Sequence, residues 1–164
     1  ASHHFFFLDA KNPVRIDVMR GLIEILKRGE TVMMFPRGTL EPEPALYTGA
    51  LDSLKAWSDS LGVFLSRVPE TMLQLALTKN VITPQAWQYP LASLAKENKI
   101  RHQIAMLLQL LAQELFGIWK QPIQLALPKP VPARSLDRDL DPRALNIALK
   151  RYVAAEMEKF FDLL

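Results

Sequence analysis

Apolar residues recur along this chain at two periods. Met19, Leu22, Ile23 and Leu26 return at three- and four-residue intervals, the spacing of one helix face. Asn12 is placed to cap that helix, Pro13 to start it and Gly29 to end it in the left-handed conformation. On either side lie short apolar runs, Phe5-Phe6-Phe7-Leu8 and the run from Thr31 to Phe35. Each is bounded by turn residues and reads as a buried strand. Strand, crossover helix and strand together predict a parallel βαβ unit.

The rest of the chain continues the alternation. Pro42 and Pro44 stiffen a loop over residues 40–47. A helix is expected from about 48 to 58, burying Leu51, Leu54 and Trp57. Val63-Phe64-Leu65 reads as a short strand. Residues 72–77 read as a longer one, because Leu73, Leu75 and Leu77 alternate with polar neighbours. From 100 to 119 the period is helical again, through Ile104, Leu107, Leu108, Leu111, Leu115 and Ile118. Pro122 breaks that helix and residues 123–127 form a last strand. An extended linker with Pro128, Pro130 and Pro132 follows. Asp141-Pro142 then opens a closing helix that buries Leu145, Leu149, Val153, Met157 and Phe160. The expected architecture is α/β, a mostly parallel sheet with helices on both faces, in a single domain over residues 1–164.

Composition narrows the function only a little. The chain has 164 residues, 49% hydrophobic and 23% charged, with a formal net charge of +3. That is enough for one domain with a core. Cysteine is absent, which excludes thiol catalysis, disulfides and thiolate metal sites within the chain. No apolar run approaches the ~20 residues of a membrane-spanning helix. The helix around Met106, Leu110, Phe116 and Trp119 nevertheless carries more apolar surface than one packed face needs. A bilayer, a second layer of the fold and a dimer face all account for it. Lys55, Lys79 and Lys96 are scattered and form no nucleic-acid module. Asp137, Asp139 and Asp141 lack the glycine and distal glutamate of a calcium loop, so no metal site is expected. His102 reads as a solvent-facing or core histidine, and Ser58 lacks the partners of a nucleophile.

One stretch carries a more specific signal. Phe35-Pro36-Arg37-Gly38-Thr39-Leu40 is followed by Glu41-Pro42-Glu43-Pro44-Ala45, and then by Trp57-Ser58. The first six residues resemble the F-P-E-G-T-R block of the glycerolipid acyltransferase family, the lysophosphatidate and glycerol-3-phosphate acyltransferase-like enzymes. The whole stretch resembles a bacterial branch with F-P-x-G-x-x-E-P-x-P-A and a Trp-Ser pair. Phe6 to Ala10 stands where the family has F-I-D-R, and Tyr47 to Ala50 where it has a basic-x-Gly-Ala step.

The resemblance implies transfer of an acyl group from an acyl-CoA or acyl carrier protein thioester to a glycerol-phosphate or lysophospholipid hydroxyl. The thioester is then a co-substrate and no cofactor is needed. A His-Asp pair from an N-H-x-x-x-x-D block would remove the hydroxyl proton. His4 and Asp9 match the bare spacing of that block. Asp9 also fits the F-I-D-R block, and the interval to Phe35 suits that assignment, which places the catalytic pair upstream of Ala1 and makes this chain the C-terminal, larger part of the family domain. Arg37 stands where the family has glutamate and Leu40 where it has arginine, at positions that hold the acceptor headgroup. Arg37, with the Gly38 and Thr39 amides, is the expected contact for the acceptor phosphate; a surface arginine paired with Glu41 or Glu43 is the other reading of Arg37. The expected location is the cytoplasm or the inner face of the membrane. A non-catalytic module of the same kind, binding acyl chains or a protein partner, is the alternative. The oligomeric state stays open.

Overall fold

A computed structural model describes residues 16–38, 41–44, 46–47 and 50–161, the side chains of Ile16 and Asp17 excepted. The expected strand at residues 5–8 and the residues His4, Asp9 and Thr39 lie outside that set. The chain forms two compact units. The first comprises Ala1–Glu41, Leu51–Leu75 and Leu127–Leu164, and the second Pro42–Ala50 and Ala76–Ala126.

The first unit is built on helices. Helix α1 spans Ile16–Lys27 and buries Leu22. A 3-10 helix over Ala50–Ala56 leads to α2, Ser60–Arg67. The last helix of the chain, α6, spans Pro142–Phe161. Helices α2 and α6 form the main packed pair. Leu61, Phe64, Leu65 and Val68 line one side, and Leu145, Leu149, Val153 and Met157 are buried along α6. The helices meet closely at Gly62, where a Cβ would stand 1.9 Å from the Pro142 carbonyl oxygen. Two residues of extended chain on each side, β1 (Met72–Leu73) and β4 (Val131–Pro132), pair antiparallel.

In the second unit, α3 (Pro84–Gln88) and α4 (Pro90–Ser93) pack against α5 (Asn98–Phe116). Ile82, Ala86, Trp87, Ala92 and Ala105 form the core, with Tyr47, Ile104 and Leu108 against it. Thr83 caps α3 by accepting from the Ala86 amide at 3.2 Å, and Pro84 opens its first turn. The Gln109 side chain fastens the segment before α3 to α5. Its Oε1 accepts from the Thr83 amide at 2.6 Å and its Nε2 donates to the Val81 carbonyl at 2.9 Å. Strands β2 (Leu77–Lys79) and β3 (Gln124–Ala126) pair antiparallel.

The mostly parallel α/β sheet is therefore not the architecture. The described residues are mainly helical, and their two sheets have two antiparallel strands each. Three local readings account for the difference. Residues 31–35 join neither sheet, and Met33 and Phe35 are 77% and 66% exposed. A short apolar run becomes a strand only where a neighbour takes up its backbone hydrogen bonds. Val63-Phe64-Leu65 lies inside α2, because Leu61, Phe64, Leu65 and Val68 follow helical spacing. The strand expected at 72–77 divides between β1 and β2, which belong to different sheets. Of the helix expected at 48–58, Ala50–Ala56 forms a 3-10 helix, with Leu54 buried.

Candidate functional site

Residues 35–38 and Glu41 of the resembling stretch come together in the first unit with the Trp-Ser pair that follows. Residues 35–38 form a tight turn, closed by the Gly38 amide donating to the Phe35 carbonyl at 2.9 Å. Gly38 has φ of +69°, a left-handed conformation that glycine adopts without a Cβ clash. On the far side of the turn, the Ser58 amide donates to the Pro36 carbonyl at 3.2 Å.

Glu41 holds the other end. Its carboxylate accepts from the Ser53 hydroxyl at 2.7 Å and from the Trp57 indole N–H at 2.8 Å. These bonds tie the chain after the turn to the 3-10 helix and the residue that ends it. Arg37 sits at the corner, its guanidinium 3.9 Å from the same carboxylate and its side chain about one-third exposed. The spacing is that of a loose ion pair, weak in water-accessible surroundings. Behind Trp57, the Lys150 ammonium donates to the Trp57 carbonyl at 3.1 Å and stands 3.6 Å from Asp59. The buried Asn146 side chain donates to Asp59. Helix α6 thus braces the segment that braces the turn.

The arrangement presents one cation on a fixed corner beside a partly exposed carboxylate. The contact shown for Arg37 is this carboxylate; a guanidinium is also chemically able to bond phosphate in a planar, two-pronged manner. The Gly38 amide closes the turn and is not turned outward toward a ligand. Among the described residues, no group of three or more His, Cys, Asp or Glu side chains could hold a metal ion. No helix among them is long and apolar enough to cross a membrane.

A second polar cluster, in the other unit, has no signature in the sequence. Tyr47 Oη lies 2.9 Å from His102 Nδ1 and 3.1 Å from the Asn98 carbonyl. The Tyr47 ring tilts against Trp87 at 4.7 Å between centroids. Arg101 lies over Trp87, its guanidinium carbon 4.3 Å from the ring centroid, and donates twice to the Trp87 carbonyl. Burial holds the His102 pKa below its ordinary 6.5, and the nearby Glu43 carboxylate offsets part of that shift. Glu43 is itself buried, accepting from the Asn80 amide at 2.6 Å and the Val81 amide at 3.2 Å. The core reading of His102 describes its surroundings better than the solvent-facing one.

The chain matches no protein-family model, no curated protein and no solved structure.

Proposed function

We propose that this chain carries the acceptor-side part of an acyltransferase-like protein. The reaction is transfer of an acyl group from an acyl-CoA or acyl carrier protein thioester to a glycerol-phosphate or lysophospholipid hydroxyl. In this reading Arg37 meets the acceptor phosphate, and the protein works in the cytoplasm or at the inner face of the membrane. The observation that carries it is the Glu41 carboxylate bridging Ser53 and Trp57. It joins the two separated halves of the resembling sequence around the turn that presents Arg37.

One observation favours a second reading, a module that binds acyl lipids without turning them over. Arg37 and Leu40 replace the glutamate and arginine of the F-P-E-G-T-R block, so the headgroup contacts differ from those the block implies.

Titration with monomeric lysophosphatidate, alongside an assay on the full-length protein for thiol released from acyl-CoA, separates the two. Both readings expect saturable binding that weakens about tenfold in Arg37→Ala, the scale of a lost hydrogen bond to a charged group. Thiol release that depends on the acceptor supports the enzyme, and binding without release supports the module. Lysophosphatidate binding that is absent, or unchanged in Arg37→Ala, removes both.

A further inference from the structure

Helix α5 is apolar on the side that the second unit leaves uncovered. On its packed side Ala105 is buried in the core with α3 and α4, Ile104 and Leu108 lie partly buried beside it, and Ala112 is buried further along. The opposite side carries Ile100, Leu107, Leu110, Leu111 and Leu115, between 44% and 67% exposed. At 3.6 residues per turn these five share one face with Gln103 and Glu114, and Lys99 stands at its margin. A helix apolar on both sides is normally covered on both.

We propose that the cover is the same face of a second copy, with the two α5 helices antiparallel about a two-fold axis at Leu107. The charges decide in favour of this occupant. Glu114 is the only acidic residue of α5. Arg101 is committed within the unit to the Trp87 carbonyl and ring, and the neutral His102 ring to Tyr47. Lys99, which is exposed, remains. Within one helix Lys99 and Glu114 are fifteen residues apart, roughly 22 Å at 1.5 Å per residue. In an antiparallel pair centred on Leu107, Glu114 of one copy comes level with Lys99 and Ile100 of the other. Symmetry makes that contact twice. Leucine then meets leucine across the axis, and the one carboxylate on the face gains a cation as it is desolvated. A bilayer would cover the same leucines but would take Glu114 into apolar surroundings without a partner.

Sedimentation velocity over a range of concentrations tests this on the whole chain, with circular dichroism to confirm that each variant keeps its helices. The expected result is a reversible dimer that Leu107→Lys dissociates. Glu114→Lys and Lys99→Glu should each weaken it roughly fivefold, as loss of two surface-strength pairs predicts. The double variant Lys99→Glu/Glu114→Lys should recover the original dissociation constant. Since the two residues are too far apart to meet within one helix, recovery reports contact between copies. The proposal is overturned by a chain that stays monomeric, by a dimer that survives Leu107→Lys, or by a double variant as weak as the sum of the singles. A monomer that instead floats with phosphatidylglycerol-containing vesicles through Leu107 and Leu111 also overturns it, in favour of a lipid surface.

Discussion

The two long helices, α5 and α6, have nearly the same length and opposite ways of using their apolar residues. Helix α6 buries large side chains, Leu145, Leu149, Val153 and Met157, in a single stripe and turns charge outward at Arg143, Arg151 and Lys159. Helix α5 buries two alanines and leaves most of its leucines exposed. The contrast shows that a hydrophobic period fixes the existence of a helix but not which side faces its neighbours. Small residues let helices approach closely, so a ridge of alanines can win the packed side over a ridge of leucines.

Truncating matched leucines breaks or sharpens that contrast most strongly. Leu145 is fully buried, and Leu145→Ala removes apolar contact and leaves a cavity, a change that costs about 2–5 kcal/mol. Leu107 is 58% exposed, and Leu107→Ala in the monomer should stay within roughly 0.5 kcal/mol. Urea unfolding, at a concentration where the chain is monomeric, measures both. Equal losses at the two positions would mean that α5 is covered within its own chain.

Glycines give the next largest effect, with opposite signs. A methyl group at Gly62 collides with the Pro142 backbone carbonyl, so Gly62→Ala has to push α2 and α6 apart, at a cost of about 1–3 kcal/mol. Gly21 lies in the middle of α1, and a Cβ there meets nothing within 4 Å. Gly21→Ala should stabilise the fold by about 0.5–1 kcal/mol, the usual gain from replacing glycine in a helix interior. Thermal or urea denaturation of the two variants checks the signs. If Gly62→Ala is neutral, the α2–α6 contact is looser than described.

These helices also mark what the sequence made legible. The closing helix was readable because Leu145, Leu149, Val153 and Met157 keep one period behind a clear Asp-Pro start. Helix α5 and strand β3 were readable because Pro122 separates their patterns. Sheet direction was not, since residues 31–35 and 72–77 have the composition of strands whatever they pair with, and pairing is a long-range choice. Val63-Phe64-Leu65 misled because three residues in a row hide a period that Leu61 and Val68 complete. At the candidate site, Phe35 to Glu41 and Trp57-Ser58 stood out as parts of one motif. That Glu41 would bridge Ser53 as well as Trp57 had no signal in the spacing. The meeting of Tyr47 with His102 had none either, because neither residue sits in a pattern that points to the other.

That pair supplies the smallest expected effect, and it probes the packed side of α5 where the leucine variants probe the open side. His102 is held below its ordinary pKa mainly by burial, with Glu43 acting against the shift. Tyr47 bonds its ring, and Arg101, the adjacent cation on the helix, is engaged with Trp87. Folding therefore favours neutral His102, and the unfolded chain binds more protons between the two pKa values. The stability contributed by His102 is fully present above about pH 6.5 and is lost as pH falls from there through the lower, folded value. His102→Gln keeps a polar side chain but removes the titration. The wild-type urea midpoint should fall further than that of His102→Gln between pH 7.5 and pH 5.5, by an amount smaller than the Leu145→Ala loss. Parallel pH profiles would mean that water reaches the His102 ring, and that the packed side of α5 is open near its first turns.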